Sequence, residues 1–241
     1  MIEISKICYS YNDIEALNDV SFKICDGEAV AFIGPNGSGK STLMKIINGL
    51  IFPQKGNYSF NGDDITSKKL QNSRFSKTFH KQIGFVFQNS DVQLFCSSVY
   101  DEIAFGVRQM GFGEEETDMR VQDVLNLLGI QNLKLRQPYH LSGGEKKKVS
   151  IASVLVLNPD VIVLDEPMSG LDPKTKRFIR ELIISLNDSG KTIICSTHDF
   201  EYVKGIFKRG IVFSAQHTVI RDGNYDDILS DKEFLYHNNI I

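Results

Sequence analysis

The chain has little of what would tie it to a membrane, a disulfide scaffold or a nucleic acid. Its four cysteines, Cys8, Cys25, Cys96 and Cys195, lie far apart and form no C-x-x-C pair. That spacing argues against a zinc site or a disulfide framework and leaves buried thiols as the expectation. No apolar run approaches the length that spans a bilayer, and Met1-Ile2-Glu3-Ile4 opens without the basic and apolar regions of a signal peptide. A soluble, cytosolic chain is expected, with any membrane role exercised through a partner. The net charge is −3, so no overall basic field exists for nucleic acid. Repeats and long low-complexity linkers are missing too. What is present is 241 residues with 41% apolar content, enough for one large or two small domains around a sizeable core.

The stretch that organises the rest is Gly34-Pro35-Asn36-Gly37-Ser38-Gly39-Lys40-Ser41, which fits G-x-x-x-x-G-K-[ST]. Ahead of it, Ala29-Val30-Ala31-Phe32-Ile33 is a continuous apolar run of the kind that forms a buried parallel strand. Behind it, Thr42 to Leu50 carries Leu43, Ile46, Ile47 and Leu50 at helical spacing and stops at Asn48-Gly49. The glycines let backbone N–H groups turn inward on an anion, and the helix N-terminus adds its partial positive charge. In such a cradle Lys40 reaches the terminal phosphates and the Ser41 hydroxyl a magnesium ion.

Around this cradle the pattern alternates between strands and helices. Ile2, Ile4 and Ile7, then Val20, Phe22 and Ile24, mark half-buried strands, with residues 9–13 read as a polar turn between them. Tyr11 in that turn could stack on a nucleotide base or be a plain strand-end tyrosine, and at this point both stand. Residues 56–65 read as a strand and a tight hairpin, and 66–82 as a solvated basic helix or loop. Ile83-Gly84-Phe85-Val86-Phe87 is a further strand, ending at Gln88 where α/β sheets bind ligands; Gln88 could touch the metal or an attacking water, or be an ordinary polar residue that ends a strand. Residues 89–138 turn helical, with Val121, Val124, Leu125 and Leu128 on one face and Gly129 as a C-terminal stop.

Leu141-Ser142-Gly143-Gly144-Glu145 opens the next helix with capping-box spacing, and its bare Ser-Gly-Gly start is also a second anion-binding helix end. Val161-Ile162-Val163-Leu164-Asp165-Glu166 delivers two adjacent carboxylates at a strand end. Asp165 suits a magnesium ion held through water, and Glu166 suits orienting or deprotonating the attacking water. Residues 192–197 form a last strand ending at His198-Asp199, a third titratable strand end.

Taken in order, residues 34–42, Gln88, residues 141–145, residues 161–166, residues 169–172 and His198 resemble the full motif set of ABC-type ATPase domains, over essentially the whole chain. The resemblance implies an α/β fold: a P-loop NTPase (RecA-like) core with an antiparallel β subdomain and an inserted helical subdomain. It implies one domain over 1–241, in which 1–88 and 159–241 form the nucleotide-binding core and 89–158 the helical part with the signature. It implies ATP and Mg2+ as cofactors. Two copies, or this chain and a paralogue, would sandwich two ATP molecules. Residues Gly34, Pro35, Asn36, Gly37, Ser38, Gly39, Lys40, Ser41 and Thr42 would then hold one nucleotide. Ser142, Gly143, Gly144 and Glu145, with Asp172, would face the nucleotide of the other copy. Tyr11 aligns with the family's adenine-stacking aromatic. Glu145 stands where the family most often has glutamine.

A narrower resemblance lies in Asp91, Gln93, Leu94-Phe95 and Glu102-Ile103-Ala104-Phe105-Gly106, which looks like the ATPase subunits of energy-coupling-factor and cobalt/nickel importers. It implies a peripheral subunit at the cytoplasmic face of the cell membrane that meets a transmembrane subunit through residues 88–108, with no nucleic acid as partner. Phe95 and Tyr100 are the candidate contact residues. A soluble ABC ATPase unconnected with transport and a non-hydrolysing ATP-binding scaffold are the alternatives; the absence of a paired domain or coiled-coil insert argues against the first, and the presence of Lys40, Asp165, Glu166 and His198 against the second.

Overall fold

The computed structural model describes residues 1–200 and 202–241. In chain order, β1 (Ile2–Tyr11) and β2 (Ile14–Ile24) form a hairpin, and β3 (Ala29–Ile33) leads through the Gly-rich loop into α1 (Lys40–Ile47). Next come β4 (Lys55–Phe60), β5 (Asp63–Asp64), α2 (Ser67–Leu70), α3 (Ser73–Gln82) and β6 (Ile83–Val86). A helical stretch follows: α4 (Ser90–Gln93), α5 (Val99–Met110), α6 (Glu114–Leu128) and α7 (Gly143–Leu155). The chain then runs through β7 (Val161–Asp165), α8 (Pro173–Asp188), β8 (Thr192–Ser196), β9 (Arg209–Phe213), β10 (Val219–Asn224), α9 (Tyr225–Ser230) and α10 (Lys232–His237).

Two sheets result. The antiparallel one has the order β2-β1-β4-β5; the larger has the order β10-β9-β3-β8-β7-β6, parallel throughout except for β10. Both faces of the larger sheet are covered, and β3, β8 and β7 are accordingly buried at every position. Along β3, Val30 and Phe32 join the cluster built from the antiparallel sheet and α1, whereas Ala29, Ala31 and Ile33 join the cluster containing α5, α6, α7 and α8. The helices of the 89–158 block therefore pack into the same hydrophobic cluster as one face of the sheet. Among the described residues, no helix is long and apolar enough to cross a membrane.

Several expectations need adjusting. The polar turn expected over residues 9–13 shrinks to Asn12-Asp13, because β1 runs on to Tyr11 and Asn12 takes a left-handed conformation (φ 53°) that closes the hairpin. The first helix begins at Lys40 rather than Thr42. Residues 66–82 are two helices, and β6 ends at Val86, two residues before Gln88. Each parallel strand nevertheless delivers its loop to one end of the sheet, where α/β folds bind ligands.

Candidate active site

At the carboxyl end of β3 two glycines are sterically required. A Cβ on Gly34 (φ 152°) would sit 2.5 Å from the Phe213 carbonyl oxygen, and one on Gly39 (φ 100°) would sit 2.2 Å from that of Ala16. Gly39 is also the N-cap of α1, and no side chain bonds to that helix start. Of the other α-helices described, only α6, which follows Gly113, also lacks a side-chain cap. The first-turn N–H groups of α1 are thus left for a ligand, and the helix dipole favours an anion there. Buried Lys40 donates to the Gly34 carbonyl at 2.7 Å, the Pro35 carbonyl at 2.9 Å and Ser38 Oγ at 3.4 Å, so its ammonium is pinned beneath the loop. Burial pushes its pKa down, and Glu166 and Asp165 push it back up.

Opposite stand the ends of β7 and β8, where Asp165 pairs in register with Ser196. The Ser196 hydroxyl donates to Asp165 Oδ1 at 2.6 Å and accepts from Glu166 N at 3.0 Å. Glu166 has a left-handed backbone (φ 45°), a conformation that costs a non-glycine residue about 1–3 kcal/mol and is found where surrounding structure holds a side chain for function. Its Oε2 accepts from His198 N at 3.3 Å. Its Oε1 is buried without a hydrogen bond; His198 Nε2 lies 3.4 Å away but off line. Burial raises the Glu166 pKa, helped by Asp165 and Asp199 and opposed by the His198 amide and Lys40. Burial, with Lys40, lowers that of His198, which is therefore neutral near pH 7. A buried, unpartnered carboxylate oxygen beside a neutral imidazole is suited to taking a proton from water.

These groups share one cavity of about 480 Å³, lined by residues 36–42, Gln88, Asp165, Glu166, Ser169, Gly170, Lys176, His198 and Asp199. Ser41, Gln88 and Asp165 offer a hydroxyl, an amide and a carboxylate, an all-oxygen set that suits Mg2+ completed by substrate phosphates. Among the described residues, no three His, Cys, Asp or Glu side chains converge on a metal.

The remaining candidates lie elsewhere. Ser142 caps α7 in a full capping box: its N–H and hydroxyl both donate to Glu145 Oε2 at 2.8 Å, which holds that carboxyl below its ordinary pKa. Ser142, Gly144 and Glu145 line a separate cavity with Asp172, whose carboxylate caps α8 through Lys174 N at 2.9 Å and Thr175 N at 3.0 Å. Tyr11 is exposed, stacks edge-on against Tyr9 and does not line the nucleotide-sized cavity. Of the partner candidates, Phe95 is 67% exposed and meets Phe105 edge to face. Tyr100 is half-buried, packs against the core and lies beneath Arg108 and Lys134, whereas Val92 and Phe105 are exposed.

Two site residues escaped sequence reasoning. Ser196 closes an apolar strand, and its role depends on a cross-strand neighbour 31 positions away. Lys147 sits in Lys146-Lys147-Lys148, a run given no role in the sequence, yet it is buried and donates to the Phe87 and Gln88 carbonyls. Burial pushes its ammonium down to about 8. The signal was its phase, four positions before buried Ile151 and seven before buried Val154.

A profile of the ABC transporter family, described as "ABC transporter", matches residues 17–169. A nickel import ATP-binding protein, LarO of Lactiplantibacillus plantarum, is 44% identical over 222 residues, covering 92% of each chain. The energy-coupling factor transporter ATP-binding protein EcfA of Methanococcus maripaludis is 40% identical over 243 residues, covering 100% of this chain and 85% of that one. Among solved structures, CbiO1 from Clostridium perfringens, part of the ABC transporter complex CbiONQ, superposes with a TM-score of 0.82 at 36% identity, covering 99% of this chain and 94% of that one. The dimeric ATP-binding cassette MJ0796, in a post-hydrolysis state with ADP and Pi, superposes at 0.83 and 29% identity, covering 93% and 98%.

Proposed function

The chain belongs to the ABC transporter family of ATP-hydrolysing subunits, and from that premise we propose that it energises a membrane importer of the energy-coupling-factor kind, carrying nickel or cobalt ions or a vitamin. The observation that carries the importer reading is the exposed apolar group of Val92, Phe95 and Phe105, on the segment directly after Gln88. A patch of this kind beside a nucleotide site marks a protein-binding surface. Glu102 fixes it in place, since its buried carboxylate accepts from Phe95 N at 2.8 Å and Cys96 N at 2.7 Å. Through it the subunit sits peripherally at the cytoplasmic face of the membrane.

In this reading ATP lies with its phosphates on the N–H groups of residues 36–42, and Lys40 neutralises their charge. Ser41, Gln88 and Asp165 would hold a magnesium ion, which, when bound, offsets charge on the β- and γ-phosphates. Ser196 fixes the Asp165 carboxylate. Glu166 accepts a proton from the attacking water through its free Oε1, and neutral His198 orients the water or the γ-phosphate. The Ser142 cap lies in a separate cavity of the same chain, so it serves the nucleotide of a second subunit, a copy or a paralogue, in a head-to-tail pair. Tyr11 stacks on the adenine of its own site. Residues 1–88 and 159–241 work as the nucleotide-binding core and 89–158 as the partner-facing part.

The test is to isolate the chain from its native membranes and identify what accompanies it. A polytopic membrane protein, with ATP turnover raised in the reconstituted complex and accumulation of one cargo in vesicles, supports the importer. Isolation of the chain without any membrane component, at full ATPase activity, removes it.

A further inference from the structure

We propose that Lys147 is a positioning residue of the hydrolysis site, clamping the Gln88 segment to α7 so that Gln88 and the Ser142 cap move as one body. The Lys147 ammonium donates to the Phe87 carbonyl at 2.9 Å and the Gln88 carbonyl at 2.8 Å from a side chain only 3% exposed. Two further ties join the same elements. Lys146 Nζ donates to Asp91 Oδ1 at 2.6 Å, and Gln93 Nε2 donates to the Ser150 carbonyl at 2.8 Å and Ser153 Oγ at 3.0 Å. Only the Lys147 tie ends on Gln88 itself.

A buried ammonium is a costly way to fill this volume, because an apolar side chain of methionine size would bring no charge to desolvate. What the charge provides is donors. β6 ends at Val86 and α4 starts at Ser90, so no strand or helix ladder fixes the Phe87 and Gln88 carbonyls. Lys147 supplies the bonds that a ladder would otherwise make. Gln88 lines the phosphate cavity and Ser142 caps the start of α7, so the Lys147 bond ties the Gln88 carbonyl to the same end of α7 that carries the Ser142 cap. The inference rests on the role given above to Gln88.

The test is a double-mutant cycle on the full-length chain in the complex with which it purifies, read as ATP turnover against magnesium concentration and as binding of magnesium-free ATP. Lys147→Met and Gln88→Ala should each lower kcat roughly ten- to a hundredfold, the loss expected when a positioned group shifts by about an ångström. Magnesium-free ATP should bind both variants within about twofold of wild type, separating binding from turnover. In the double variant the second change should add no more than about a factor of two, because both act through one contact. Lys147→Arg, which keeps the donors, should recover most of the turnover. Additive losses, with Gln88→Ala itself impaired, overturn the clamp and leave the role of Gln88 standing. Normal turnover in Gln88→Ala overturns that role and the clamp with it. Should Lys147→Met fail to fold, Lys147→Ala takes its place in the cycle, where a non-additive loss supports the clamp and an additive one overturns it.

Discussion

Ser196 donates its hydroxyl hydrogen to Asp165 at 2.6 Å across paired strand ends, and the same oxygen accepts the Glu166 amide at 3.0 Å. One hydroxyl thus orients the carboxylate suited to metal and helps hold the left-handed backbone of the next residue. Ser196→Ala frees both. Leaving the Glu166 amide without its partner should cost about 1–3 kcal/mol in chemical denaturation. Turnover should fall by about a factor of ten or more, because Asp165 loses its fixed direction. Unchanged turnover with lowered stability would show that Ser196 serves only the fold.

Lys40→Ala and Asp165→Asn should each abolish hydrolysis while leaving the circular dichroism spectrum intact. Lys40→Ala removes the counter-charge beneath the loop, and Asp165→Asn removes the negative charge offered to magnesium yet can still accept from Ser196. Near-normal phosphate release from either purified variant would sink the assignment of the site.

Glu166→Gln keeps the shape of the side chain and removes the base, so hydrolysis should drop about a hundred- to ten-thousandfold with ATP still bound. Trapped nucleotide should then shift light scattering toward a dimer, by mass action. The pH dependence follows from burial. Because the carboxylate form is the active one and its pKa is raised above 4.5, the wild-type rate should fall on acidification at a pH above the ordinary carboxylate range. Stability carries the opposite sign. A raised folded-state pKa means that ionisation weakens the native state, so the contribution of Glu166 is fully present below 4.5 and lost as pH rises through the raised value. Glu166→Gln should therefore melt higher than wild type at pH 7, and the gap should close toward acid pH.

Phe95→Asp, alone or with Phe105→Asp, should leave ATP binding unchanged and weaken capture of the membrane component in a pull-down, since it puts charge on an exposed aromatic pair. Persisting assembly and transport would move the docking surface elsewhere.

What the sequence made legible were segments whose neighbours leave one signature. β3 reads as an unbroken apolar run, and β7 and β8 as apolar runs that meet a polar residue at their ends, because both their faces are covered; the loop at residues 34–41 reads from its glycines because backbone crowding at Gly34 and Gly39 admits nothing else. β10, Val-Ile-Arg-Asp-Gly-Asn, was not legible. It is a polar edge strand whose place comes from pairing with β9, where Arg209 meets Asp222 at 2.7 Å. Ser196 and Lys147 escaped for a related reason, as their roles lie in contacts with residues far along the chain.

The capping box at Ser142 changes what an arriving phosphate meets. Both donors of Ser142, its N–H and its hydroxyl, already end on one oxygen of Glu145. The helix start therefore carries a resident anion, and in the head-to-tail pair proposed above a phosphate presented to it would take part in an exchange rather than an addition: one negative group would have to turn away as the other came in. Engagement in that pair would be a displacement equilibrium within the protein, with an opposing term that a glutamine at position 145 would supply only as a neutral dipole.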